Sequence, residues 1–196
     1  MSDQTDTLGG RLPLANPATL TPHSARSSTA WRPGSSWAND AQFQSTAEDG
    51  RLLGPFNPAL LNPAIAAPFL DLQFAEQVHT SLSARVREVV ILTVGAVWQA
   101  DYELYAHVAV ARKAGLSEGA ARAVATGGHP DDLSADEEIA LRLTQQLSTS
   151  HRVEESLYRE AETAFRTKGL IDIAFLIGIY HSVCATLTMF AIPAPE

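Results

Sequence analysis

Ser83-Ala84-Arg85-Val86-Arg87-Glu88-Val89-Val90-Ile91-Leu92-Thr93-Val94-Gly95-Ala96-Val97-Trp98 is the stretch on which the fold class turns. Its centre, Val89–Val94, is β-branched and almost continuously apolar, so propensity alone allows a buried strand. Proline is absent, Gly95 is the single breaker, and Ser83 stands where a helix N-cap belongs. These features predict a buried helix. Glu88 lies inside the apolar run, where a carboxylate must find a partner or stay protonated, because burying an unpaired charge is costly. Two readings stay open for it: a helix-surface residue paired with Arg85 or Arg87, or a carboxylate of a site.

Working outward, proline divides the chain. Eight of the 11 prolines precede residue 69, and only Pro130 lies between Phe69 and Phe190. Long helices therefore fit the second stretch and not the first. Asn57-Pro58 and Asn62-Pro63 resemble helix starts, with Asn as N-cap and Pro at the first helical position. They open a short helical hairpin over about 58–79. A helix end or kink is expected at Trp98–Asp101, and a helix over 101–114 stops at Gly115, a residue suited to a left-handed cap. Ser117 caps a short helix to Thr126. Ser134 and Glu137 have capping-box spacing for a helix to about 149. Val153, Leu157, Ala161, Ala164 and Phe165 repeat at helical spacing up to Gly169, and a last helix covers 170–190. The expectation is an all-α chain: an extended or disordered N-terminal arm over residues 1–49, then one helical domain of about seven helices over 50–196.

Composition excludes several functions. A net charge of −8 and a pI near 5.2 oppose a nucleic-acid surface. Cys184 is the only cysteine, so an intramolecular disulfide, a CxxC pair and a multi-cysteine zinc site are impossible within one chain. A reducing, cytoplasmic setting follows as the expectation, since the N-terminus lacks the basic start and apolar region of a secretory signal. Residues 7–39 hold three arginines and no acid, faintly like a transit peptide, but four prolines and an acidic start oppose that reading. Leu170–Phe190 is long enough to cross a bilayer. Asp172, Tyr180, His181, Ser182, Thr186 and Thr188 instead mark it as a buried core helix, so no membrane partner is expected.

Glu103 and His107 are four apart, on one face of the expected helix and beside its Leu104/Val108/Ala111 stripe. A half-buried acid and imidazole can share a proton and suit acid–base work; spacing alone also allows an exposed pair with no role. Trp98 and Tyr102 flank the pair and can wall a pocket or simply pack. His181 reads as a core histidine, and His79, His129 and His151 as helix-end or loop residues. No metal site is expected, and Cys184 reads as a small hydrophobe.

Ser83–Leu92, then Tyr102-Glu103-Leu104-Tyr105-Ala106-His107, then Lys113-Ala114-Gly115-Leu116-Ser117 together resemble the carboxymuconolactone decarboxylase and alkylhydroperoxidase-like superfamily. The ending Leu176–Tyr180 through Phe190–Pro195 is similar to that family's C-terminal helix and tail. The likeness spans roughly residues 50–195. Carried over by position, the family's glutamate falls on Glu88 and its histidine on His107. The two places that hold cysteines in the peroxidase branch are Ala100 and Glu103 here.

The resemblance implies a homo-oligomer, trimeric or hexameric, with sites near subunit interfaces, and a decarboxylase-like branch rather than a disulfide-cycling one. It implies a small carboxylated or lactone-containing ring as substrate. In such a compound the ring carbonyl accepts the electrons that carbon dioxide leaves behind, so no cofactor is expected. His107 would give the proton, Glu103 would orient or relay, Glu88 would hold its neighbours, and Arg85 would bind the substrate carboxylate. Trp98 and Tyr102 would wall the substrate. Isomerisation or lactone opening could use the same groups. The alternatives are a non-catalytic helical oligomer that binds a ligand or protein, with Trp31 and Trp37 anchoring the arm on a neighbour, and a hydroperoxidase using Cys184.

Overall fold

Ser83 opens the helix on which the others assemble: its hydroxyl accepts from the Val86 N–H, and Gln99 closes the helix in the left-handed region at φ 52°. The computed structural model describes residues 8–20 and 43–195. Among these, seven α-helices follow one another: α1 (Phe56–Leu61), α2 (Pro63–His79), α3 (Ala84–Trp98), α4 (Asp101–Lys113), α5 (Glu118–Ala125), α6 (Ala135–Thr149) and α7 (Glu155–Met189). Among the described residues there is no strand, only an isolated bridge between Thr46 and Leu52.

The β-branched run is helical because burial outweighs propensity. Val89, Val90, Ile91, Leu92 and Val94 are all 0% exposed. Each such side chain contributes roughly 1.5–3 kcal/mol when removed from water, against a strand preference spanning about 1 kcal/mol. One side of α3 packs with α6 and α7 through Val86, Val90, Ile91, Leu143, Ile173 and Leu176. The other side packs with α4, α5 and α6 through Val89, Leu92, Ala111, Val124 and Leu141. The helix is therefore the central element, surrounded by the others.

Local stop and start signals stand where the sequence puts them. Gly115, at φ +100°, follows α4, Ser117 caps α5, and Ser134 with Glu137 forms the complete capping box of α6. Two expectations are corrected. Asn57 is not an N-cap: it is buried one residue inside α1. Its Oδ1 accepts from the Ala15 N–H at 2.8 Å and its amide donates to the Pro13 carbonyl at 3.2 Å, so it ties the N-terminal stretch down. Nor does Gly169 end a helix. The break falls at Arg166, with φ 56° and ψ 175°, while Gly169 is buried where an added Cβ would come within 2.8 Å of the Phe165 Cβ. Its smallness serves close packing. The left-handed turn falls on an exposed arginine, whose strain the packing of both helical halves offsets.

Residues 8–20 are irregular apart from 3₁₀ turns at 8–9 and at Pro17–Thr19. Leu14 is nevertheless buried, beside Leu53, Tyr102, Val183, Leu187 and Ile192, an apolar contribution that its aperiodic surroundings conceal. Arg11 donates its backbone N–H to the Phe190 carbonyl at 2.7 Å and its guanidinium to the Met189 carbonyl at 2.9 Å. Trp31 and Trp37 lie outside the described residues. By length and composition α7 is apolar enough to cross a membrane. It is broken at Arg166, and its Ile173, Leu176 and Cys184 are fully buried among α3 and α6, so it serves as a core helix.

Gly54, at φ +60°, lies against the Tyr102 ring, with which an added Cβ would collide. Gly54→Ala combines left-handed strain with overpacking and should destabilise by about 2 kcal/mol or more. Gly50→Ala, at φ +81° with nothing within 4 Å, should cost only about 1 kcal/mol. Urea denaturation of the two variants checks this; equal midpoints would remove the Tyr102 contact from the account.

Candidate active site

Glu88 projects from the middle of α3, one residue before four side chains that water never reaches, and is itself 3% exposed. A charge there needs a partner. The turn at Gln99–Ala100 folds α4 back along α3, and His107 meets it: Nδ1 lies 2.8 Å from Glu88 Oε2. One turn earlier on α4, Glu103 reaches the other ring nitrogen, with Oε1 at 3.2 Å from His107 Nε2. That approach is close but poorly aligned, and Glu103 Oε1, wholly buried, makes no hydrogen bond. The Tyr180 ring of α7 stands edge-on to the imidazole, centroids 5.2 Å apart at 90°.

Burial is the largest influence on Glu103, and with the negative Glu88 nearby it raises the carboxyl pKa despite the opposing pull of His107. Glu103 is thus disposed to hold its proton. For His107, burial works against the charged ring, but Glu88 and Glu103 together outweigh it and the pKa is raised. Burial drives the Tyr180 phenol well above its ordinary value, with Glu103 and Glu88 adding to it. The chemistry on offer is a carboxyl disposed to hold its proton beside an imidazole that the Glu88 carboxylate helps to keep protonated.

These groups open onto a cavity of about 110 Å³, comparable with the roughly 150 Å³ cavity that takes up benzene in an engineered core. Phe43, Phe56, Phe69, Leu70, Ala106 and Val183 make its walls, and Gln73, Tyr102, Glu103, His107 and Tyr180 supply its polar atoms. Tyr102 does wall the cavity, as the sequence suggests, with its hydroxyl donated away to the Gln44 carbonyl at 2.8 Å.

Arg85 and Trp98 do not reach the cavity. The Arg85 guanidinium is held by both oxygens of Glu137, at 2.6 and 3.0 Å, and by the Gly115 carbonyl at 2.6 Å. The Trp98 indole donates to His181 Nδ1 at 2.6 Å, while His181 Nε2 lies 3.0 Å from Ser148 Oγ. Because Nδ1 accepts, the His181 proton sits on Nε2 and the ring is neutral; burial lowers its pKa accordingly. Ser148 therefore receives a hydrogen bond and has no base to activate it.

The arginine beside the site is Arg87, paired through two hydrogen bonds with Glu76 of α2 and close enough to oppose protonation of His107. The sequence names Arg87 only as a possible partner of Glu88, whereas its guanidinium is taken by Glu76. Tyr180 and Gln73 carry no local signal, since nothing in short-range spacing couples α2 or α7 to this part of α3. Among the described residues no three His, Cys, Asp or Glu side chains are disposed to hold a metal ion. Cys184 is buried and its thiol pKa is pushed far up by burial and by Glu103, so it is no thiolate nucleophile.

Residues 63–146 match the carboxymuconolactone decarboxylase family. The fold is similar to that of an uncharacterised peroxidase-related protein with an alkylhydroperoxidase AhpD core from Ralstonia eutropha JMP134, with a TM-score of 0.76 at 17% identity over 96% of this chain and 93% of that one. Over residues 63–146 the chain thus resembles the carboxymuconolactone decarboxylase family, and its fold is that of the AhpD-like structures. A peroxidase-related protein from Silicibacter sp. TM1040 is similar over the same shares of the two chains, with a TM-score of 0.73 at 15% identity. The debrominase Bmp8, as a cysteine-to-alanine variant in complex with 2,3,4-tribromopyrrole, gives a TM-score of 0.63 at 16% identity over 98% of this chain and 93% of that one. No curated protein matches the chain. Of the two positions that the resemblance matches to cysteines of a peroxidase branch, Ala100 is buried in the core. The other, Glu103, is the orphaned carboxyl at the cavity.

Both raised pKa values carry the same sign. The stabilisation tied to protonated His107 is complete below the ordinary imidazole value of 6.5 and is lost as pH rises through its raised value. Glu103 behaves likewise: its folded form favours the proton, so stability falls as pH rises above 4.5. Thermal midpoints should therefore fall from about pH 5.5 to about pH 9, and Glu103→Gln should flatten that slope. A wild-type midpoint that climbs across this range would contradict the assignment.

Proposed function

We propose that this chain is a cofactor-independent acid–base enzyme that transfers a proton on a small carbonyl-bearing ring, of the lactone type. The supporting observation is the unsatisfied Glu103 Oε1, buried at a small aromatic-walled cavity and backed by the His107–Glu88 pair. An oxygen left without a partner costs stability in a structure that otherwise satisfies its polar groups, and a substrate atom is what would satisfy it. A closed, dry core at this place would have favoured a non-catalytic scaffold.

In this reading the protonated Glu103 gives its proton to a carbon of the ring enolate, and His107 returns a proton to Glu103. Glu88 holds the imidazole by Nδ1 and keeps Nε2 directed at Glu103. The enolate arises when a carbon–carbon or carbon–hydrogen bond beside the carbonyl breaks and its electron pair moves onto the carbonyl oxygen. Loss of carbon dioxide from a carboxylated lactone needs no base. Double-bond isomerisation has Glu103, in its ionised form, take the ring proton and return it at another carbon, and lactone opening by elimination has it take that proton while the ring oxygen leaves as a carboxylate. For decarboxylation the substrate anion would meet the His107 imidazolium, since Arg85 is engaged with Glu137. The tribromopyrrole held by the debrominase is a small flat ring, which agrees with the scale of this cavity.

We also propose a homo-oligomer, trimeric or larger. α2 buries none of its residues and exposes Ile65, Leu72, Phe74 and Val78, and α7 adds Ile171 and Phe175, large apolar side chains that a neighbouring subunit would cover. Light scattering should give a mass of three chains or more, and a monomer at micromolar concentration would exclude it.

With carbon dioxide release from a carboxylated lactone, or isomerisation of the lactone itself, as the assay, Glu103→Gln should lower kcat by ~100-fold or more while circular dichroism stays unchanged. Cys184→Ser should leave turnover intact, and Arg85→Gln should cost stability without altering KM. Full activity in Glu103→Gln would end the acid–base reading.

A further inference from the structure

The polar atoms free to meet a ligand in the cavity are all uncharged. Glu103 keeps its proton, Tyr180 is an un-ionised phenol, and Gln73 is an amide of α2 whose side chain makes no hydrogen bond among the described residues. The Tyr102 hydroxyl is engaged with the Gln44 carbonyl and His107 Nδ1 with Glu88, while His107 Nε2 is turned to Glu103 Oε1 at 3.2 Å without a hydrogen bond. The nearby arginine, Arg87, is matched by Glu76. Charge around the cavity is thus compensated pair by pair, and among the described residues no unpaired cation lines it.

Such a lining selects against an anion. A ring carboxylate would have to leave water for a site where the imidazole already has its counter-charge in Glu88 at 2.8 Å, so its desolvation would go uncompensated. A neutral ring loses little on entry, and its apolar faces meet Phe56, Phe69 and Tyr180. One carbonyl oxygen on its rim would satisfy an N–H of the otherwise unoccupied amide.

We propose that Gln73 reads the carbonyl edge of an uncharged flat ring, and that this cavity takes neutral carbonyl-bearing rings in preference to ring carboxylates. The proposal rests on the cavity being the substrate site of the acid–base reading and narrows that reading towards isomerisation or ring opening.

The test is binding to the full-length protein, by calorimetric titration and ligand-observed NMR, of three probes: 2-pyrone, 2-furoate and toluene. 2-Pyrone should bind more tightly than 2-furoate. Gln73→Leu should weaken 2-pyrone about fivefold or more, as loss of one neutral hydrogen bond implies, and leave toluene unchanged. Gln73→Glu, which keeps the shape but removes the amide donor, should weaken 2-pyrone as well. Unaltered 2-pyrone affinity in Gln73→Leu, tighter binding of 2-furoate, or no binding of 2-pyrone at millimolar concentration would each overturn the proposal. Gln73-dependent binding of 2-pyrone supports it even if no probe is turned over, a result that would count against the acid–base reading alone.

Discussion

The structure depends on how one carboxylate is accommodated. Glu88 stands in a helix whose next four residues are entirely removed from water. Leaving it there unpaired would cost several kcal/mol, a large part of a typical domain's stability. His107 has to lie where it does, and that requirement fixes the rotation of α4 about its axis. Leu104, Val108 and Ala111 then turn towards α5 and the outer side of α3. Tyr102 and Ala106 turn towards Leu53, Val183 and Leu187. Glu103 and His107 fall between these two apolar sets. Site and core are consequences of the same pairing.

The wall opposite is built differently. α2 brings Phe69, Leu70 and Gln73 to the cavity yet buries none of its own residues. It is attached through the short turn at Asn62 and through Glu76, whose carboxylate grips Arg87, the residue preceding Glu88. The same stretch of α3 thus holds His107 on one side and the wall on the other, so the Glu76–Arg87 ion pair gives a disturbance of α2 one route to the imidazole.

Most of the helical layout was legible because it is written locally. Ser83, Ser117 and Ser134 cap helices through bonds to residues three positions on, and Gly115 marks a stop by its own backbone freedom. Glu103 and His107 share a helix face by spacing alone. Glu88 joined them only through the family resemblance, since 19 positions separate it from His107. What misled was always a distant competitor. Arg85 lies on the same side of α3 as Glu88, but the capping carboxylate of α6 takes its guanidinium. Trp98 is close in sequence to the site and spends its N–H on His181. Asn57 has the composition of a cap and is recruited instead by a backbone more than 40 positions away. Tyr180 and Gln73 meet at the cavity from opposite ends of the helical domain, and no short-range pattern records that.

The hydrogen bond from Arg11 to the Met189 carbonyl joins positions 178 apart, and the Arg11 N–H closes on the adjacent Phe190 carbonyl. The open end of the last helix is therefore finished by nearly the first described residues of the chain. Loop closure of that span carries the largest entropy cost of any contact in the fold. A ribosome delivers the N-terminal partner of this contact long before the C-terminal one. Asn57 offers Pro13 and Ala15 their partners early, but until the last helix has emerged and folded Arg11 has no carbonyl to close on, so its contact marks a helix that has formed to its end.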